Sequence, residues 1–221
     1  MNQHTVYFLD FDHTLFDTDR FFHVDVQERL LALGVDAELW RSTYDAVRLS
    51  GYTLEKHMAV IARQPGRQLS PHITQEIIAE FSDLRRYLFP DAVSFLQSFD
   101  PLHTHLAILS FGNPDWQRFK VRASGIEPFF QNLFFTGAEY SKADVVRSCA
   151  ARYGEIVAID NHPGELDAIR DAVPSARTFL INRVPEEKVL AELPGNSFLE
   201  AKKYLDIPFR HHHTPCVTLQ K

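Results

Sequence analysis

This sequence is short of several things that would narrow its class by their presence. It has two cysteines in 221 residues, Cys149 and Cys216. Two cysteines cannot build a disulfide framework, so a reducing compartment is expected. It has no excess of positive charge. There are 23 Lys and Arg against 29 Asp and Glu, giving a net charge of -6. That balance excludes the basic footprint of a nucleic-acid binder. It has no apolar run long enough to span a bilayer. Asp10 and Asp12 interrupt the first apolar stretch, so no signal peptide is expected and a cytoplasmic setting is. No internal repeat and no low-complexity segment is visible. Hydrophobic residues are not scarce. They make up 45% of the chain, including 18 phenylalanines, which excludes general disorder and predicts a core rich in large rings.

The order of elements carries the fold. Thr5 to Asp12 is a β-branched and aromatic run ending in acids, and it reads as a buried strand. From about Asp19 to Arg86 the period becomes helical. Four helices are expected there, around Val26–Leu33, Leu39–Val47, Leu54–Ala62 and Ile73–Phe81. After Phe89-Pro90-Asp91 strands and helices alternate. Strands are expected at 105–110, 132–136, 155–160 and 176–182. Helices are expected at 92–99, 116–124, 142–153 and 166–173, and a last one at 198–205. Such alternation predicts an α/β fold, a Rossmann-like three-layer core around a parallel sheet, with an all-helical cap inserted after the first strand. The core would comprise residues 1–16 and 87–221, and the cap residues 17–86.

Three strands end in polar clusters: Asp10-Phe11-Asp12-His13-Thr14, Ser110-Phe111-Gly112-Asn113 and Asp160-Asn161. Ligands of an open parallel sheet bind beyond the carboxyl ends of its strands, so the three clusters should share one crevice. Carboxylates gathered in a desolvated cleft repel one another, and a divalent cation relieves the repulsion. Magnesium takes oxygen ligands and one or two carboxylates beside a substrate phosphate. Asp10, with an acid or amide from Asp160-Asn161, provides the candidate ligands. A carboxylate can also attack phosphorus and split one displacement into two, which suits Asp10. Asp12 is placed to protonate the leaving oxygen. Ser110, the amides of Phe111, Gly112 and Asn113, and Lys142 at the start of a helix would hold the charge on the transferring phosphoryl group.

In these residues the chain resembles the haloacid dehalogenase superfamily. Asp10-Phe-Asp12-His-Thr14 resembles its Asp-x-Asp-x-Thr motif. Ser110 resembles the second motif, Lys142 the third-motif lysine, and Asp160-Asn161-His-Pro-Gly-Glu165 the acidic fourth motif. Phe89-Pro90-Asp91 is similar to the segment by which such chains re-enter the core. The resemblance implies a magnesium-dependent phosphatase acting on a small phosphorylated metabolite, as a monomer or homodimer, with no nucleic-acid or membrane partner. It implies Asp10 as nucleophile and metal ligand, and Asp12 as general acid/base that also ligates the metal through its carbonyl. Thr14 would shape the loop, and Ser110 with Lys142 would hold the phosphoryl group. Asn161 and Glu165 stand where two aspartates are common, and Ala143 where proline is frequent. The direct ligand is therefore Asp160 or Asn161. The rival activities are dehalogenation, phosphomutase chemistry and a non-catalytic binding role. Asp12 argues against dehalogenation, which has no alkoxide to protonate.

Other residues are expected to be structural. Trp40 and Tyr44 are assigned to the core of the insert, Phe129, Phe130, Phe134 and Phe135 to the main core, and Cys149 to core filling. His13 is read as a substrate-side or solvent residue, Arg118 and Lys120 as a solvated helix face, and His211 to His213 as a solvated tail.

Overall fold

The computed structural model describes residues 4–48, 50–65 and 72–183. The expected last helix at 198–205, the histidine run at 211–213 and Cys216 lie outside the described residues.

Strand β1 (Thr5–Leu9) is followed by a π-helical turn over Arg20–Val26 that runs straight into α1 (Gln27–Leu31). Helices α2 (Ala37–Arg48), α3 (Leu54–Ala62) and α4 (Ile73–Glu80) follow. Then come α5 (Ala92–Gln97), β2 (Thr104–Phe111), α6 (Pro114–Ala123), β3 (Asn132–Thr136), α7 (Lys142–Cys149), β4 (Glu155–Asp160), α8 (Pro163–Ala172) and β5 (Arg177–Leu180). The five strands form one parallel sheet in the order β3-β2-β1-β4-β5. β1 is therefore central and reads as an almost unbroken apolar run, as a strand covered on both faces should.

Alternation along each strand sends side chains to two separate clusters. Val6 and Phe8 of β1 join Ala107, Leu109, Ile156 and Ala158, and pack with Val145, Val146, Leu166 and Ile169 of α7 and α8. Leu9 joins Ile108, Val157 and Ile159 on the opposite face, with Phe95 and Leu96 of α5 and Trp116 and Val121 of α6. That second cluster continues without a break into the helical insert through Phe16, Phe21, Phe22, Trp40, Leu54 and Ile61. Phe129, Phe130 and Phe135 are only half-buried against this cluster, and Phe134 is half-buried against the first. Cys149 and Trp40 are buried, while Tyr44 is half-buried.

The chain enters and leaves the insert through two neighbouring segments. Asp17 N–H donates to the Tyr87 carbonyl at 2.7 Å, and Phe89 N–H to the Leu15 carbonyl at 3.0 Å. Among the described residues, no helix is long and apolar enough to cross a membrane.

Candidate active site

The register of the central strands decides where the acids meet. Leu9 lies opposite Ile159, so the next residues, Asp10 and Asp160, come level at the carboxyl end of adjacent strands. The Asp10 amide donates to the Ile159 carbonyl at 2.9 Å, which carries the ladder up to the site. Both carboxylates are buried, Asp10 at 5% and Asp160 at 3% exposure. Two buried like charges side by side are unfavourable, and Lys142 lies between them. Its ammonium donates at 2.7 Å to Asp10 Oδ1 and at 2.7 Å to Asp160 Oδ2. The lysine reaches them from the first turn of α7. That helix is fixed by a capping box in which Ser141 and Asp144 satisfy each other's backbone amides. Asp160 uses its other oxygen to accept the His162 amide at 2.8 Å. It thereby braces the start of α8, whose N-cap position is His162.

Burial pushes the Asp10 carboxyl up to about 6. The charges of Asp160 and Asp12 add to this, and the Lys142 ammonium opposes it. For Lys142, burial favours the neutral amine, but Asp10 and Asp160 outweigh it and hold the ammonium well above the ordinary lysine range. A nucleophilic carboxylate near 6 is still ionised at neutral pH.

Asp12 sits two residues on, in a tight loop closed by donation from Leu15 and Phe16 N–H to the Phe11 carbonyl, both at 3.0 Å. His13 takes a left-handed φ of 59° at the turn of this loop. Three side-chain donors engage the Asp12 carboxylate. Oδ1 accepts from Thr18 Oγ1 at 2.6 Å and from the Lys120 ammonium, and Oδ2 accepts from Gln117 Nε2 at 2.8 Å. Burial alone would push this carboxyl up. The Lys120 charge, with hydrogen bonds from Lys120, Thr18 and Gln117, outweighs burial and holds it below the ordinary value.

One sequence assignment is corrected here. Lys120 is not on a solvated face. It is 3% exposed, paired with Asp12, and its ammonium lies 5.3 Å from the Phe11 ring centre and 5.7 Å from that of Phe16. Arg118, assigned to the same face, is half-buried and lies over the Phe135 ring at 5.4 Å. The Asn113 side chain is used by its own helix. Its Oδ1 accepts from the amides of Asp115 and Trp116, both at 3.1 Å, and so caps α6. The signal for Gln117 and Lys120 is their helical spacing from Trp116 and Val121. Positions 116, 117, 120 and 121 form one buried stripe on α6 that Ser124, its C-cap, continues, and Lys120 falls on it.

Ser110, next to last in β2, has its hydroxyl buried with no hydrogen-bond partner among the described residues, and the Thr14 hydroxyl is in the same state. An unsatisfied buried hydroxyl costs about 1–3 kcal/mol, which marks both positions as available to a ligand. Phe111 exposes half of its side chain while its carbonyl accepts from Gln117 Nε2 at 2.8 Å. Gly112 has φ 138°, which strains any L side chain, and a Cβ there would lie 2.7 Å from Gln117 Nε2 and displace that amide. Asn161 is half-buried directly after Asp160.

Three carboxylates, Asp10, Asp12 and Asp160, thus face two ammonium groups, Lys142 and Lys120. The excess is one negative charge. A divalent cation beside Asp10 fits that imbalance. Among the described residues, no cluster of three His, Cys, Asp or Glu side chains could hold an ion. The donors that suit magnesium are the Asp10 carboxylate, a backbone carbonyl and the Asn161 amide oxygen.

Neither a protein-family profile nor a curated protein matches the chain. Solved structures do match. A haloacid dehalogenase-like hydrolase from Burkholderia xenovorans superposes with a TM-score of 0.62 at 17% identity, covering 88% of this chain and 91% of that one. The HAD-hydrolase YfnB from Bacillus subtilis, crystallised with magnesium, gives 0.59 at 14% identity over 94% and 100%. The L-2-haloacid dehalogenase from Xanthobacter autotrophicus gives 0.51 at 18% identity over 93% and 88%. The chain therefore has the haloacid dehalogenase-like fold.

Proposed function

We propose that this protein is a magnesium-dependent phosphomonoester hydrolase acting through an aspartyl-phosphate on Asp10. The observation that carries the reading is the second carboxylate, Asp12. It lies on the same loop as the buried Asp10–Lys142–Asp160 cluster, so a nucleophile and a proton carrier sit together. Dehalogenases share the fold, as the Xanthobacter enzyme does, but halide leaves without a proton and makes no use of Asp12.

Asp10 attacks phosphorus as its carboxylate, and the bond to the ester oxygen breaks. Asp12 takes up a proton against the pull of Lys120 and gives it to that oxygen. A water molecule then attacks the aspartyl-phosphate, returns a proton to Asp12 and releases phosphate with Asp10 restored. Ser110 and the backbone amides after it, with Lys142, hold the equatorial oxygens. Asp10, the Asp12 carbonyl and Asn161 would hold magnesium, with Asp160 bracing Lys142. Magnesium when bound supplies charge neutralisation between the phosphoryl group and Asp10. The helical segment 17–86 acts as a cap that shields the reaction from water and selects the substrate. The magnesium-bound YfnB structure, which reveals interdomain movement, supports this by likeness of fold.

The test is phosphate release from 4-nitrophenyl phosphate with and without magnesium, beside chloride release from a 2-chloro acid. Metal-dependent phosphate release that Asp10→Asn abolishes is the expected result. Chloride release with no phosphate release would overturn the reading.

A further inference from the structure

We propose that Tyr44, on α2 of the insert, is a specificity-determining residue whose ring forms the wall against which the leaving group lies. The substrate class is then a phosphomonoester of an uncharged, ring-bearing alcohol with no second anionic group. This rests on the phosphohydrolase reading above.

The rings of the insert gather into one cluster with a closed side and an open one. Phe22 and Trp40 are buried, and Phe22 lies 4.5 Å from Tyr52 and 5.4 Å from Tyr44. Tyr44 and Tyr52 are half-buried, and His23, edge-on to Tyr44 at 5.4 Å, is exposed, so the cluster opens to solvent there. Three observations put that opening over the catalytic crevice. The Tyr52 ring meets Trp116 of α6 at 5.8 Å. The turn before Tyr52 rests on the end of the Ser110 loop, since a Cβ on Gly51 would lie 3.6 Å from Asn113 Cβ. Burial raises the Tyr44 phenol, Arg48 opposes this, and the charges of Asp12, Asp45 and Asp19 add to it, so the catalytic loop is within electrostatic reach of the ring.

The two tyrosines differ in what they offer. Thr43 gives its one proton to the Leu39 carbonyl at 2.6 Å, so its oxygen accepts from His57 Nε2 at 2.9 Å. His57 Nδ1 then accepts from the Tyr52 hydroxyl at 3.1 Å. His57 is fully buried, so this chain fixes the Tyr52 ring and occupies its hydroxyl. Tyr44 is braced differently, by stacking on Trp40 with planes 11° and centres 6.0 Å apart. Its hydroxyl has no hydrogen-bond partner among the described residues, unlike that of a tyrosine serving only as core. Charge decides the rest. Arg48, the cation acting on Tyr44, is paired with Asp45 at 2.8 Å, and Asp19 is 72% exposed. The acids outnumber the cation, so a leaving group with its own carboxylate or second phosphate is repelled, while a flat uncharged one gains ring contact.

The experiment measures kcat and KM in magnesium for three esters of primary alcohols: 2-phenylethyl phosphate, ethyl phosphate and 3-phosphooxypropanoate. Their leaving groups depart with similar ease and differ in the ring and the carboxylate. The phenylethyl ester should exceed the ethyl ester ~30-fold in kcat/KM, within what an apolar contact supplies. The carboxylate ester should not exceed the ethyl ester. Tyr44→Ala should lose ~10-fold on the phenylethyl ester, mostly in KM, and less than ~2-fold on the ethyl ester. Tyr44→Phe keeps the ring and should stay within ~2-fold of wild type on both. Asp19→Lys should raise kcat/KM for the carboxylate ester ~5-fold, and no gain would overturn the exclusion of anions. Absence of the ring preference, or equal losses for Tyr44→Ala on all three esters, would overturn the assignment and leave the phosphohydrolase reading intact. Should Tyr44→Ala fail to fold, Tyr44→Leu fills the space without a flat ring. It should lose ~5-fold on the phenylethyl ester alone, and an equal loss on all three would count against the proposal. Wild-type protein inert on these esters but active on 4-nitrophenyl phosphate would overturn the assignment, and protein inert on all four would overturn both readings.

Discussion

Asp10 carries a cost that the fold imposes for chemistry. Its carboxyl sits near 6 because burial and two neighbouring acids outweigh one lysine. The folded protein therefore binds this proton more tightly than the unfolded chain, whose value is 3.8. The stability associated with the proton is present below pH 3.8 and is lost as pH rises through about 6. Asp10→Asn keeps the shape and removes the charge. In metal-free protein at pH 7.5 it should raise Tm, roughly 2–4 °C for each kcal/mol gained. The advantage should shrink as pH falls from 6 toward 4 in thermal melts. Magnesium should reverse the ranking. At a hundred times its Kd it would stabilise the wild type by about 2.7 kcal/mol, and Asp10→Asn should not respond. The acids and Lys142 were legible because each ends a strand or opens a helix at a recognisable break. Lys120 was not, because Arg118 and Arg122 on the same helix made it look like a member of a charged face. Its partner, Asp12, lies 108 residues away in sequence. Only the buried stripe through Trp116 and Val121 pointed inward.

At the scale of elements, the site is built from strand ends and the helix starts that follow them. β1 delivers Asp10, β2 delivers Ser110, β4 delivers Asp160 and the first turn of α7 delivers Lys142. The strands were readable from their apolar runs, and their order follows from parallel crossover connections. The π-helical turn at Arg20–Val26 was not readable, since its side chains show the same apolar spacing as an α-helix. Asn113 shows how one residue type serves two readings. Polar residues after a strand suit a ligand and a helix cap equally, and the hydrogen bonds to Asp115 and Trp116 decide for the cap. Asn113→Ala should therefore cost about 1 kcal/mol in denaturant melts. It should change KM for an aryl phosphate by less than about 3-fold, because its side chain gives the ligand nothing to lose. A large rise in KM with unchanged stability would restore the ligand role.

Over the whole molecule, the same aromatic cluster joins sheet and insert. Phe21 packs edge-on against Phe16, Tyr87 and Phe81, and lies 6.4 Å from Trp116 of α6. The sequence announced many rings but not that they would bridge the two parts, because that depends on how the insert folds back over α6. Arg183, just after β5, locks the junction from below. It donates to the Thr14 carbonyl from two nitrogens at 3.0 and 3.1 Å, pairs with Asp91 at 2.9 Å, and lies 4.3 Å from the Phe89 ring centre. One side chain thus ties the catalytic loop to the segment returning from the insert. Arg183 and Asp91 have side chains 9% and 16% exposed, so removing the arginine takes a charged partner from a largely desolvated carboxylate. Arg183→Met should cost about 3 kcal/mol, or a fall in Tm of roughly 6–12 °C. Because the cluster is continuous, the loss should appear as one earlier transition. Far-UV circular dichroism and tryptophan fluorescence, which reports Trp40 in the insert and Trp116 in the core, should move together in the melt. Separate transitions for the two signals would show that the insert unfolds independently of the sheet and that Arg183 stabilises only one of them.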